Sequence, residues 1–89
     1  MRAIKTSAKF RKDFKRANKR GKNMGKLKTV LDILVTDTNL PSRYKPHKLS
    51  GDYANLWECH IEPDWLLIYN FDDNILELLR LGTHSDIFE

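Results

Sequence analysis

The chain has 89 residues, 40% hydrophobic, 10% aromatic and 31% charged, with a formal net charge of +4. That length supports one domain, residues 1–89, with one modest core burying roughly 60–65% of the unfolded surface. The composition excludes a disordered chain, and no apolar run approaches the ~18 residues of a membrane span. The lone Cys59 can form neither an internal disulfide nor, by itself, a zinc site. The start Met1-Arg2-Ala3-Ile4-Lys5 has no apolar stretch of the secretory kind, so the expected setting is reducing and cytoplasmic.

In chain order, residues 2–6 read as a short first strand. Ser7 then stands as a helix N-cap, and Phe10, Phe14 and Ala17 recur on one helical face. Lys9, Arg11, Lys12, Lys15, Arg16 and Lys19 fill the rest of that helix, and Gly21 ends it. A second helix begins near Asn23, with Met24, Leu27, Val30, Leu31 and Leu34 as its apolar stripe, and the stretch Thr36-Asp37-Thr38-Asn39-Leu40-Pro41 closes it. The two helices read as an antiparallel pair.

Residues 39–55, with Pro41, Pro46 and Gly51, form the longest connection and carry His47. Three strands follow. In 56–62, Trp57, Cys59 and Ile61 alternate with Glu58, His60 and Glu62. Residues 65–71 are nearly all apolar, as in a central strand; Asp72-Asp73-Asn74 is a hairpin turn; 75–81 is the last strand and 82–89 a short tail. The order strand-helix-helix-strand-strand-strand predicts an α+β domain whose final strands form an antiparallel meander, with both helices on one face of a small sheet.

The charge is split between the two halves. Residues 1–48 hold 15 of the 16 Lys/Arg against three acids, a balance of +12; residues 49–89 hold only Arg80 against nine acids, a balance of −8. Such asymmetry points to a polyanionic partner for the basic half, most commonly nucleic acid. The alternative is a solvated lysine-rich helix face. A membrane surface fits less well, because these helices are patterned to pack against a core.

Three histidines, His47, His60 and His84, fall in the loop, on the polar face of a strand and just past the last strand. With Asp64 and Arg80 they suit cleavage of RNA, which carries its own nucleophile in the 2′-hydroxyl. That reaction needs a base, an acid for the departing 5′-oxygen and a cation for the phosphorane charge. Imidazole can serve as base or acid near neutral pH, and an arginine fork can bind two phosphate oxygens. No metal or other cofactor is required. Each residue also has a plainer reading: surface or capping histidines, Arg80 paired with Glu58 or Glu77, Trp65 and Phe88 as core, Asp64 as a turn cap. The histidine spacings, 13 and 24 residues, lack the i, i+3 or i, i+4 pairing of a helical metal site.

Three segments carry a resemblance: Tyr44-Lys45-Pro46-His47-Lys48-Leu49-Ser50-Gly51, the run from Trp57 to Tyr69 containing His60-Ile61-Glu62-Pro63-Asp64-Trp65, and Leu81-Gly82-Thr83-His84-Ser85-Asp86-Ile87-Phe88. Across essentially the whole chain the sequence resembles the YafQ-type toxins of the RelE superfamily, the toxin halves of bacterial type II toxin–antitoxin pairs. The resemblance implies a microbial RNase-like fold, a small antiparallel-type sheet with helices packed on one face, and ribosome-dependent cleavage of messenger RNA, with a preference for adenine-rich codons. It implies as partners a cognate antitoxin, the 70S ribosome with its rRNA, mRNA, and operator DNA only through the antitoxin. His47, His60, Asp64 and His84 then match catalytic positions, and Arg80, Trp65 and Phe88 match substrate-binding ones. Lys9, Arg11, Lys12, Lys15, Arg16 and Lys19 become candidates for rRNA or antitoxin contact. The competing expectation is a non-catalytic RNA- or ribosome-binding module, including a toxin that has lost cleavage.

Overall fold

A computed structural model describes residues 1–36 and 39–89; Asp37 and Thr38, in the stretch predicted to end the second helix, lie outside the described residues. The elements are β1 (Ala3–Thr6), α1 (Ala8–Lys19), α2 (Met24–Thr36), β2 (His47–Lys48), β3 (Trp57–Glu62), β4 (Trp65–Phe71), β5 (Ile75–Gly82) and α3 (His84–Phe88). They build an α+β domain around one five-stranded sheet of order β1-β5-β4-β3-β2. The antiparallel meander β3-β4-β5 is as expected. β1 lies beside β5 in parallel, Ala3 opposite Ile75 and Thr6 opposite Leu78, so the sheet is antiparallel except at this edge, where β5 returns in the direction of β1 after the crossover through α1 and α2.

Local chemistry explains the helix ends. The Ser7 hydroxyl accepts from the Phe10 N–H at 2.9 Å. After Arg20, Gly21 takes a φ of +79°, and the Gly21 and Lys22 amides bond back to Asn18 and Ala17. That is the glycine-ended helix stop in which a side chain at Gly21 would meet backbone strain. In the hairpin turn, Asp72 Oδ1 accepts from the Asn74 and Ile75 amides, both at 2.8 Å.

The helix-side core joins Phe10 and Ala17 of α1 and Leu27, Val30 and Leu34 of α2 to Cys59, Ile61, Trp65, Leu67, Tyr69, Leu76, Leu78 and Leu81 of the sheet. Leu66 and Ile68 of β4 point the other way. There Ile87 of α3 covers them with Leu49, Tyr53, Leu56 and Leu79. Among the described residues, no helix is long and apolar enough to cross a membrane.

Four features depart from the sequence reading. Phe14 is 42% exposed, and Asp13 is buried on the face of α1 that meets β5. The connection 39–55 contains two short 3-10 turns, at Ser42–Tyr44 and Gly51–Tyr53, with the two-residue strand β2 between them. The tail contains α3, opened by a capping box in which the Thr83 and Asp86 side chains each take the other's backbone N–H. The register of β3 shifts between His60 and Glu62. Strict alternation puts Glu62 with Glu58 and His60; the bulge instead turns it to the helix side, where it binds Lys22 and Lys26.

Candidate active site

Strand pairing assembles the site. β2 sets His47 directly opposite Glu58 on β3, and His60 lies two residues further along the same face. Leu66 pairs with Gly82, which brings Asp64, just before β4, beside His84, just after β5. The three imidazoles therefore stand in a row: the His47 and His60 ring centres are 6.2 Å apart and those of His60 and His84 6.0 Å. Phe88 continues the row 6.3 Å beyond His84 and meets Tyr53 edge-on at 5.6 Å.

Each ring is held through Nδ1. His47 Nδ1 lies 2.8 Å from the Lys45 carbonyl and His60 Nδ1 3.2 Å from the Pro63 carbonyl. His84 Nδ1 lies 2.6 Å from Asp64 Oδ1, which also takes the His84 amide at 2.9 Å. A carbonyl can only accept, so each Nδ1 of His47 and His60 is the donor, and the second nitrogen, Nε2, is turned to the site. His47 Nε2 and His60 Nε2 converge on one oxygen of Glu58, at 3.3 and 3.4 Å, and Glu58 is 4% exposed. Either contact is a hydrogen bond only when a proton lies between the two atoms, on Nε2 or on the Glu58 carboxyl, so Glu58 and the two rings form a place where a proton can be held. Asp64 is open to solvent, and the His84 amide, followed by the His84 ring, holds its carboxyl below the usual carboxylate range.

Arg80 lies one layer behind. Its Nε donates to buried Asp13 at 2.8 Å, and its other nitrogens reach the Tyr53 hydroxyl at 3.4 Å and the Asp86 carbonyl at 3.3 Å. The structure does not bring Trp65 to the row of histidines. It is 1% exposed in the helix-side core, with the Lys22 ammonium 5.0 Å above its ring, and its Nε1 has no hydrogen-bond partner among the described residues. Phe88, at 46% exposed, does stand at the row. Along α1, Lys9, Arg11, Lys12, Lys15 and Lys19 are exposed, whereas Arg16 turns inward to Asp13, the Leu81 carbonyl and Asp86. Cys59 is buried, which pushes its thiol up to about 12 and leaves no nucleophile there.

Sequence reasoning gave Asp86 no role. Arg20 grips both its oxygens, at 2.7 and 3.2 Å, and Arg16 stands 3.5 Å away, so α1 holds the short helix that bears His84 and Phe88. Gly82 makes this possible: a Cβ there would come within 2.8 Å of Asp86 Cβ and 2.9 Å of Arg16 Nη2. Gly82→Ala is expected to cost about 1–3 kcal/mol, read as a lower thermal midpoint, because the groups it strikes are pinned to each other. The signal was present in the sequence as Thr83-x-x-Asp86, a capping box spacing.

Among the described residues, no three His, Cys, Asp or Glu side chains are disposed to hold a metal ion. Comparison with known proteins adds a family. Residues 2–89 match the family model described as the bacterial toxin of the type II toxin–antitoxin system, YafQ. The mRNA interferase toxin YafQ of Escherichia coli K12 is 43% identical over 88 residues, covering 98% of this chain and 96% of that protein. The same fold, with a TM-score of 0.90, occurs in the E. coli DinJ–YafQ toxin–antitoxin complex, 43% identical over 99% of this chain and 98% of that one. It also occurs in a metal-bound toxin from Helicobacter pylori, with a TM-score of 0.90 and 42% identity over 99% and 100% of the two chains. A small α+β domain of this architecture, matched over its length, is a bacterial toxin of the type II toxin–antitoxin class. Within that class, the chain belongs to the YafQ family.

Proposed function

We propose that this toxin is an mRNA interferase: an endoribonuclease that cuts messenger RNA on the ribosome, at adenine-rich codons, by general acid–base catalysis without a metal. The row His47-His60-His84, with His84 oriented by Asp64, is the observation that carries the reading. An imidazole removes the 2′-hydroxyl proton, the 2′-oxygen forms a bond to phosphorus, and the bond to the 5′-oxygen breaks as a second imidazole protonates it. The products are a 2′,3′-cyclic phosphate and a 5′-hydroxyl. His84 is the principal proton-transfer group, and His60 and His47 divide the base and charge-stabilising roles. Phe88 offers a ring on which an unpaired base can stack. The exposed cations of α1 meet ribosomal RNA or the antitoxin, through which operator DNA is reached.

A second reading, metal-assisted hydrolysis, draws on the metal-bound relative alone, since no three side chains among the described residues are disposed to hold an ion. Mapping RNA ends after brief induction tests both. Cyclic or 3′-phosphate ends within translated messages, unchanged when purified toxin and ribosomes are assayed with chelator, support the proposal. Chelator-sensitive cleavage at intact ribosomes favours the metal. Salt-sensitive RNA binding with no new ends reduces the protein to a binding module.

A further inference from the structure

We infer that Arg43 and Lys45 form a subsite for a backbone phosphate of single-stranded RNA, one nucleotide or more from the bond that is cut. The inference rests on the endoribonuclease reading and extends it to residues that the reading does not use. A groove of about 210 Å³ opens beside His60, lined by Arg43, Lys45, His60, Ile61, Glu62 and Pro63. Both cations are exposed, and among the described residues neither has a carboxylate within ion-pairing distance. Glu62 is the acid of the groove, and Lys22 and Lys26 already occupy its two oxygens. The groove is therefore cationic and its charge is unspent.

The segment is also pre-shaped. The Arg43 guanidinium lies 4.6 Å over the Tyr44 ring and donates to the Tyr44 hydroxyl at 3.1 Å, which fixes the position of its planar fork and leaves most of its donors open. Lys45 sits at φ +49°, a left-handed conformation that costs a lysine energy and collects at functional sites. That turn aims the Lys45 carbonyl at His47 Nδ1. One short stretch thus orients an imidazole of the row and sets two cations beside the next. The arrangement favours phosphate over a base, because the aromatic face available here, Tyr44, is covered by Arg43. The open ring, Phe88, stands beyond His84, next to a hollow shared with Tyr53 and Ser50. An RNA strand laid along the row meets proton-transfer groups, fixed charge flanking them at His60, and a stacking ring beyond His84.

The test uses a short adenine-rich oligoribonucleotide with 2′-O-methyl groups, which binds but cannot be cut. Its affinity is titrated against salt for the whole toxin and for Arg43→Gln/Lys45→Gln. Every phosphate that the variant no longer neutralises should lower the slope of log affinity against log salt by about 0.7. Cleavage of translated message by the same variant should show a raised KM with kcat retained. Lys45→Arg, which conserves the charge, should keep the wild-type slope, and so should Lys28→Gln, which removes one surface charge paired with Asp32. A double variant with wild-type slope and KM, or one that lowers kcat alone, overturns the subsite while cleavage by the wild type stands. Conversely, a wild type that binds with the expected slope but makes no ends upholds the subsite and removes the endoribonuclease reading.

Discussion

Replacing His84 with Ala is expected to lower cleavage of translated message by about 10²–10⁴-fold, the usual contribution of one positioned acid or base. The fold should be little affected. The His84 side chain is 56% exposed, and the amide that anchors it to Asp64 Oδ1 remains in the alanine variant. Its thermal midpoint should stay within the shift of about 0.5 kcal/mol typical of surface changes, and antitoxin binding should persist. Asp64→Ala should also slow cleavage, but by less, because it leaves the ring in place and frees only its orientation. A carboxyl held below its usual range stays ionised throughout the assay range, so Asp64 adds no inflection to the pH–rate profile between about pH 5 and 8. Initial rates at saturating ribosomes, with unfolding measured in parallel, decide the matter. A His84→Ala protein as toxic and as fast as wild type removes His84 from the mechanism.

The same residues show how far the sequence could be read. β3, β4 and β5 were legible because each is long enough for its alternation or its apolar run to be seen, and Ser7 and Gly21 punctuate α1 by chemistry that acts locally. β2 was not, since His47–Lys48 is two residues long and exists only through its pairing with β3. The parallel docking of β1 against β5 joins residues some 70 positions apart, which no local pattern encodes. Of the site, His47, His60, Asp64, His84 and Phe88 do come together, because β2, β3 and the β3–β4 and β5–α3 junctions are neighbours in the sheet. Glu58, read as one of several polar-face residues, proves to be the buried oxygen between two rings. Arg43 and Lys45 carry no periodic signal, so a loop reading passes over them.

Asp13 is the largest surprise, because on periodicity it is a polar residue beside an apolar stripe. It is 3% exposed, and both its oxygens are engaged. β1 ends at Thr6, level with Leu78, so the edge of β5 beyond that point has no strand beside it. Asp13 takes over: its Oδ2 accepts the Leu81 amide at 2.9 Å and Arg80 Nε at 2.8 Å, while Oδ1 accepts Arg16 at 2.9 Å. Asp13→Ala strands the Arg80 guanidinium, 14% exposed at its side chain, and leaves a buried N–H unpaired. Breaking a buried pair in this way costs about 3–5 kcal/mol. In a domain of this size each kcal/mol moves the thermal midpoint by about 4–8 °C, so a fall of at least about 12 °C is expected by calorimetry. Asp13→Ala/Arg80→Met should recover part of that loss, since it removes the stranded charge along with its partner, although the Leu81 amide remains unpaired. The recovered fold then separates support from chemistry. If the double variant is stable yet slow in cleavage, Arg80 acts on the site through Tyr53 and the Asp86 carbonyl as well as through stability. If Asp13→Ala melts within about 1 kcal/mol of wild type, the pair is not what holds α1 to the edge of β5.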